Sequence, residues 1–211
     1  MRYSAPLLEL CALALAEVAN FRHPADAVLS GFFRNHREAG QQDRALIAET
    51  VYAALRRRRL MHAIAPNGGF RRLVLAVWAI LLGVNLRELE ALLRRGERGW
   101  LAAAKSAAHG EQAFEVQCDL PDWVIAALRR RFADADLLRH AQAFQQPAAL
   151  DLRANLARRS REEVLGRLAA DGIAANATPY SPAGIRLAGK PAINRHPLFL
   201  AGEIEVQDEG S

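Results

Sequence analysis

Apolar residues recur every three or four positions through the first two thirds of the chain. This spacing is typical of α-helices that bury one face. No alternating run of β-branched residues interrupts it between Pro6 and Phe144, and the most apolar stretch runs from Arg71 to Leu82. The pattern therefore predicts an all-α bundle over residues 1–145. Its clearest helical stripes are Leu7, Leu8, Cys11, Leu15 and Val18; Val28, Leu29, Phe32 and Phe33; and Ile47, Val51 and Leu55.

The hydrophobic period changes near Gln145-Gln146-Pro147. Apolar and polar residues alternate from Ala149 to Leu156, as they do in a half-buried strand. Ser160 and Glu163 then form a capping-box pattern at the start of a helix, which Gly172 is placed to end. The β-α-β-β-β order predicts a small, incomplete α+β domain of the RRM/ferredoxin-like kind over residues 146–211. The three further strands are predicted at Ile173–Ala177, Gly184–Leu187 and Glu203–Val206.

The net charge of the chain bears on whether it could bind nucleic acid. The 211 residues carry 28 Lys+Arg and 23 Asp+Glu, for a net charge of +5, and 26 of the basic residues are arginine. Residues 1–140 hold the whole excess, while four acids lie in the last nine residues. The planar guanidinium is well suited to phosphate recognition. A GC-rich coding sequence would also enrich arginine, so this composition leaves nucleic-acid binding open.

Three groups of arginines stand out on the predicted helices: Arg56 to Arg59, Arg71-Arg72 and Arg129-Arg130-Arg131. Four consecutive helical positions point around most of a turn, so the first group predicts a cationic collar. Such a collar can contact phosphates, or it can simply be a solvated helix end that complements the macrodipole. The candidate RNA-binding residues of these helices are Arg56, Arg57, Arg58, Arg59, Arg129 and Arg130.

The polar face of the first predicted strand offers a second candidate surface. Asp151, Arg153 and Asn155 alternate with apolar neighbours. This face could be exposed to solvent, contact nucleic acid or dock another domain.

The remaining residues do not point to catalysis in this chain. Cys11 lies on an apolar helical face and Cys118 lacks a local histidine partner, so neither is predicted to be a nucleophile. The scattered histidines lack metal-ligand spacing, and no glycine-rich nucleotide loop is visible. No run reaches the roughly 18 apolar residues of a membrane span. Two cysteines are compatible with a reducing cytosol, and the predicted location is cytoplasmic.

Several motifs resemble a known family. Asp43-Arg44-Ala45-Leu46, followed by Glu49-Thr50-Val51-Tyr52, resembles the helical NusB-like domain of bacterial ribosomal RNA methyltransferases. Leu120-Pro121-Asp122-Trp123, Leu152-Arg153-Ala154-Asn155 and Ser160-Arg161-Glu162-Glu163-Val164-Leu165 are similar to the segment that follows it in the Sun (Fmu, RsmB-type) family. The resemblance covers essentially the whole chain and is strongest from Leu120 onward.

The resemblance implies the N-terminal region of a 16S rRNA (cytosine-C5) methyltransferase that uses S-adenosylmethionine. In that family the cofactor-binding domain and the catalytic cysteines follow this region, so the fragment is expected to be inactive alone. Neither Cys11 nor Cys118 falls in the family's catalytic motifs. Arg153 and Asn155 match the RNA-facing module, and Gln207 and Ser211 match the lead-in to the cofactor domain.

Two functions therefore remain open. The chain could bind ribosomal RNA and position a target base for a catalytic domain outside it. Alternatively, the NusB-like bundle could bind a protein partner through an apolar groove without contacting RNA.

Overall fold

The computed structural model describes residues 3–66 and 68–211. The chain divides into two units, Met1–Gln146 and Pro147–Ser211. The regular elements described in the first unit are helical, whereas the second contains a four-stranded antiparallel sheet. The predicted fold class, a helical region followed by a small α+β region, is confirmed.

Ten α-helices are described in the first unit. A π-helix, Val77–Leu81, extends the fifth helix, and a 3₁₀ turn, Glu90–Leu92, follows the sixth. The helices are α1 (Ala5–Val18), α2 (Ala25–Asn35), α3 (Gln41–Arg56), α4 (Arg58–Ile64), α5 (Gly69–Ala76), α6 (Leu86–Leu89), α7 (Glu97–His109), α8 (Phe114–Cys118), α9 (Asp122–Leu128) and α10 (Asp134–Phe144).

The apolar segment predicted to be central does lie in the core. Trp78, on the π-helix, is fully buried, and its indole nitrogen donates to the Thr50 hydroxyl at 2.8 Å. That hydroxyl in turn donates to the carbonyl of Leu46 at 2.7 Å. The pairing satisfies both polar groups, which buried polar atoms require. Gly83 ends the segment with φ at +69°, a conformation that favours glycine.

The second unit has strands β1 (Leu150–Ala154), β2 (Ala175–Ala177), β3 (Gly184–Leu187) and β4 (Ile204–Val206) in the order β2-β3-β1-β4. All neighbouring strands are antiparallel. Helix α11 (Arg161–Ala170) covers one face, where Leu152, Val164, Leu168 and Ile185 are fully buried. This is the split β-α-β order of ferredoxin-like domains.

The connection between β3 and β4 contains helical turns that the predicted β-α-β-β-β order lacks. It contains a 3₁₀ turn, Ile193–Arg195, and a short helix, α12 (Pro197–Leu200). Pro197 suits the first turn of a helix, and the His196 ring accepts a hydrogen bond from the amide of Leu198 at 3.2 Å. Pro197 therefore starts a second helix, and the β-α-β-β-α-β order is complete.

Two local predictions about α11 are confirmed. The Ser160 hydroxyl accepts from the amide of Glu163, and the Glu163 carboxylate accepts from the amide of Ser160 at 2.8 Å. Gly172 follows the helix with φ at +75°. Among the described residues, no helix has the length and apolar character needed to cross a bilayer.

Candidate nucleic-acid interface

The four-arginine block does not form one continuous helix. Helix α3 ends at Arg56 and α4 begins at Arg58, so Arg57 lies at the break. The carboxylate of Asp119 sits at the start of α4, where it accepts from the amide of Arg59 at 2.6 Å and the amide of Leu60 at 3.4 Å. Free amides at a helix start need such partners, so a residue about 60 positions later caps α4.

Two members of the block hold this capping residue in place. Arg57 Nε donates to Asp119 at 3.0 Å, and the Asp119 side chain is only 2% exposed. Arg59 donates to the carbonyl of Leu120 and to Asp122 at 2.7 Å. The predicted collar of four outward cations is therefore wrong in part, because Arg57 and Arg59 bind the segment between α8 and α9.

The other two members differ from each other. Arg56 is half-buried, and burial lowers the pKa of its guanidinium while Glu49 opposes that change. Arg58 is exposed, and its guanidinium carbon lies 4.9 Å from the centre of the Phe21 ring. Arg58 is thus the member of the block that remains on the surface without a carboxylate partner among the described residues.

The Arg71-Arg72 pair faces a buried acid. Glu97 is 4% exposed, and its carboxylate lies 3.5 Å from Arg71 Nε and 3.9 Å from Arg72 Nε. Arg71 also donates to Glu9 at 2.8 Å. The ion pairs of Arg71 and Arg72 are therefore made with acids of the helical unit itself.

The third group, at the end of α9, is divided in the same way. Arg129 makes a two-point contact with Asp134 at 2.9 and 3.0 Å and stacks over Phe114. The hydrogen bond to Asp134 raises the pKa of Arg129. Arg130 and Arg131 are exposed and have no ion pair among the described residues.

The uncovered face of the sheet is charged. Asp151 lies opposite Arg186, which donates two hydrogen bonds of 2.7 Å to its carboxylate, and Asp151 is 4% exposed. This pairing lowers the pKa of Asp151. Asp151 is therefore not exposed to solvent, which was one of the three alternatives for this face, and the amide of Glu209 also donates to its carboxylate at 3.4 Å.

The same face lacks the aromatic platform on which RRM domains stack bases. Across it, Arg153 pairs in register with Glu205 and Gly184, and Asn176 pairs with Arg186. The fold resembles an RRM in topology, but the described residues of this face offer charge and hydrogen bonds rather than rings.

Arg153 and Asn155 line a cavity of about 440 Å³ beside β1. Arg153 remains exposed and makes only long contacts, 3.3 Å to Glu205 and 3.4 Å to Gln207. Asn155 has a local structural role, because its amide donates to the carbonyl of Gly202 at 3.0 Å and its oxygen accepts from Ala157. Of the two candidates, Arg153 has the freer side chain.

The two junction candidates lie on the segment after β4. Gln207 donates from its backbone to the Asp151 carbonyl at 3.2 Å and from its side chain to the Ser211 carbonyl at 3.5 Å. Between them, the Glu209 carboxylate accepts from the amides of Tyr180 and Ser181. Burial favours its protonation, but the Thr178 hydroxyl and these amides together hold the pKa of Glu209 below its usual value.

The two cysteines lack the features of nucleophiles. Both are buried. Burial raises the pKa of Cys11 to about 12 and also raises that of Cys118. Since the thiolate is the reactive form, neither thiol is activated. No group of three or more metal-ligating side chains occurs within residues 3–66 and 68–211.

The chain is similar to known proteins in both sequence and fold. Residues 120–194 match the family model of the RsmF/B-like methyltransferase ferredoxin-like domain. A Synechocystis protein described as a probable ribosomal RNA small subunit methyltransferase B is 28% identical over 200 residues, which covers 79% of this chain and 45% of that protein. Parts of this chain are therefore similar to RsmB-type methyltransferases. The resemblance read from its motifs is confirmed.

A solved structure shares the fold of this chain. The crystal structure of a protein named PH0851 has a TM-score of 0.64 at 15% identity, and the match covers 98% of this chain and 54% of that one. The chain spans about half the length of the Synechocystis protein and about half that of PH0851.

Sequence reasoning missed two residues of the helical unit. Asp119 carries no local signal of its role, because its partners are about 60 positions away. Phe21 contacts Arg58 although it lies far earlier in the chain. Only the folded chain brings these residues together.

Proposed function

We propose that this chain is the RNA-recognition region of an RsmB-type methyltransferase of 16S ribosomal RNA. Residues 1–145 would form a NusB-like RNA-binding domain and residues 146–211 a small domain that leads into the methyltransferase domain. The protein would act in the cytoplasm and position a cytosine for methylation at C5. The relationship of residues 120–194 to the family supports this proposal.

The observation that carries the proposal is the set of arginines that no carboxylate neutralises. Arg58, Arg130 and Arg131 belong to this set, because they are exposed and have no ion pair among the described residues. Arg153 is also exposed, but it forms an ion pair of 3.3 Å with Glu205. Exposed guanidinium groups bind phosphates through several donors and release counterions as they do so. Arg153 also lines a cavity large enough for part of a nucleotide.

Methyl transfer would be carried by residues outside this chain. In the methyltransferase family that the motifs resemble, S-adenosylmethionine supplies the methyl group. The described residues do not fit it, because the antiparallel sheet lacks the parallel strand–loop–helix unit that typically binds such cofactors. Gln207 and Ser211 would lie at the junction with the cofactor-binding domain.

The proposal is tested by measuring the affinity of the 211-residue chain for a 16S rRNA fragment at several salt concentrations. We expect the affinity to fall steeply with salt, and the double variant Arg130→Gln/Arg131→Gln to bind more weakly, with the salt slope reduced by about 1 to 2.

The matched control removes the same charge from arginines that are already paired. Arg98 and Arg139 are exposed and lie 2.7 and 2.8 Å from Glu90 and Asp136. The variant Arg98→Gln/Arg139→Gln should change the salt slope much less. Affinity without salt dependence, or equal loss in both double variants, would contradict the proposal.

A protein partner is the second candidate, and exposed aromatic side chains favour it. Trp123 and Phe144 are 75% and 71% exposed on the helical unit. Tryptophan and phenylalanine at this exposure are common anchors of protein interfaces. Specific retention of one protein after nuclease treatment, lost on Trp123→Ala/Phe144→Ala, would support this alternative against RNA binding.

A further inference from the structure

An apolar groove lies between α1, α3, α4 and α5 of the helical unit. Its cavity is about 280 Å³, and its floor is formed by Leu15, Leu55, Met61 and Leu73. A second cavity shares Met61 and Leu73 with it, so the groove continues along α4. Its size is close to that of small ligand sites, which are mainly apolar with a few polar groups.

Aromatic rings flank the groove. Phe21 and Phe70 both line it, and they are 57% and 40% exposed. Exposed phenylalanine rings at the mouth of an apolar cleft leave surface that folding has not buried. They offer faces on which a flat ring can stack.

The backbone conformation at Phe21 is unfavourable for a residue with a side chain, although more than half of that side chain is exposed. Its φ is +51°, in the left-handed region. Asn20 and Phe21 follow the end of α1, and glycine normally occupies such a position because a Cβ is disfavoured there. Glycine would adopt this conformation without strain, so phenylalanine at this position has a cost in folding free energy.

The charge of the groove is positive. Arg58 and His62 are the ionisable residues among the described residues that line it, and no carboxylate is among them. The Arg58 guanidinium lies over Phe21, with 4.9 Å between its carbon and the ring centre. The apolar cleft and the phenylalanine rings complement a flat aromatic group. The Arg58 guanidinium complements an anionic backbone attached to that group. Unpaired bases of RNA have this chemistry and stack on phenylalanine and arginine planes.

We propose that the groove bounded by Phe21, Arg58 and Phe70 accepts one unpaired RNA base. The base stacks on the phenylalanine rings, and Arg58 contacts the adjoining phosphate. This site rests on the proposed RNA-binding function and adds to it a preference for RNA with a bulged or looped-out nucleotide. Recognition is by stacking, which every base allows, so little dependence on base identity follows.

The test compares two RNA hairpins that differ by one bulged 2-aminopurine nucleotide. We expect the chain to bind the bulged hairpin about tenfold more tightly, the effect of stacking one base, and the fluorescence of the bulged base to be quenched on binding. Phe21→Gly should abolish the preference while leaving the helical unit at least as stable, since it removes the ring and relieves the left-handed backbone. Phe70→Ala and Arg58→Gln should each reduce the preference.

Tyr180→Ala is the matched control, because Tyr180 is an exposed aromatic residue that does not line the groove. It should retain the tenfold preference. Equal affinity for the two hairpins, or a preference that survives Phe21→Gly, would overturn the base site.

These outcomes separate the base site from the proposed function. If both hairpins bind equally and with salt dependence, RNA binding stands and the base site alone fails. If neither hairpin binds at any salt concentration, the proposed function fails and the base site fails with it.

Discussion

The two arginine-rich segments of the helical unit look alike in sequence but differ in where their acidic partners come from. In the block from Arg56 to Arg59, the partners are Asp119 and Asp122, about 60 positions later. At the end of α9, the partner of Arg129 is Asp134, five positions later. In both segments some arginines are fixed by carboxylates and their neighbours remain exposed.

This difference shows that a run of like charges is not one functional surface. Arg57 and Arg59 secure the start of α4, and Arg129 secures the start of α10, whereas Arg58, Arg130 and Arg131 face solvent. The paired arginines should matter mainly for stability and the exposed ones mainly for binding. Each prediction below separates these two roles.

The largest expected effect is the loss of the Asp119 cap. Asp119→Ala removes the acceptor of two helix-start amides and of Arg57, and it places alanine at a φ of +53°. We expect a loss of about 3 kcal/mol in the free energy of unfolding. Urea unfolding followed by tryptophan fluorescence measures it, because all three tryptophans lie in the helical unit.

Asp122→Ala is the control for that variant. Asp122 also pairs with Arg59, but its side chain is 78% exposed. Its removal should cost less than about 0.5 kcal/mol. Equal destabilisation by the two variants would show that Asp119 is not a buried cap.

The next effect concerns the buried carboxylate of Asp151, which pairs with the partly exposed Arg186. Asp151→Ala leaves Arg186 without its carboxylate and should destabilise the second unit by about 2 kcal/mol. This unit contains no tryptophan, so amide hydrogen exchange of strand β1 is the suitable measurement. The control Arg153→Gln changes an exposed residue on the same face and should leave exchange nearly unchanged.

The Asp151–Arg186 pair also predicts a pH dependence. In the folded protein the pKa of Asp151 lies below its unfolded value of about 3.9, because its carboxylate accepts hydrogen bonds from Arg186. The pair therefore contributes stability above that unfolded value, and the contribution is lost as pH falls through the folded-state pKa. Wild type should lose protection of β1 in this acid range, whereas Asp151→Ala should lack that part of the transition. The same acid transition in both proteins would contradict this assignment.

The smallest effect compares adjacent arginines. Arg57→Gln removes a hydrogen bond to the buried Asp119 carboxylate and should cost about 1 kcal/mol. Arg58→Gln removes an exposed charge and should change stability by less than about 0.5 kcal/mol. Urea unfolding of both variants measures the difference. If Arg58→Gln were the more destabilising change, the division of the block into structural and surface residues would be wrong.

Much of the fold could be predicted because its signals are local. The helical period, the capping box at Ser160 and the stop at Gly172 depend on residues within a few positions of one another. Strand β3 follows its prediction residue for residue. The short helix α12 was missed because its signal is one turn long and lies among prolines.

The candidate site was less predictable because ion pairs join distant segments. No local pattern shows that Asp119 reaches α4 or that Asp151 is buried under Arg186. The sequence showed where arginines cluster, but only packing decides which of them a carboxylate occupies. The same limit hid Phe21, whose ring meets Arg58 through the fold.

The central claim is that the exposed, unpaired arginines bind RNA and the paired ones do not. Its most direct test is the salt dependence of RNA affinity for two triple variants. One is Arg58→Gln/Arg130→Gln/Arg131→Gln, which removes exposed unpaired cations. The other is Arg98→Gln/Arg139→Gln/Arg167→Gln, which removes exposed cations that are paired with acids. We predict a salt slope reduced by about 2 to 3 in the first variant only. An equal reduction in both would contradict the account, because net charge alone would then explain binding.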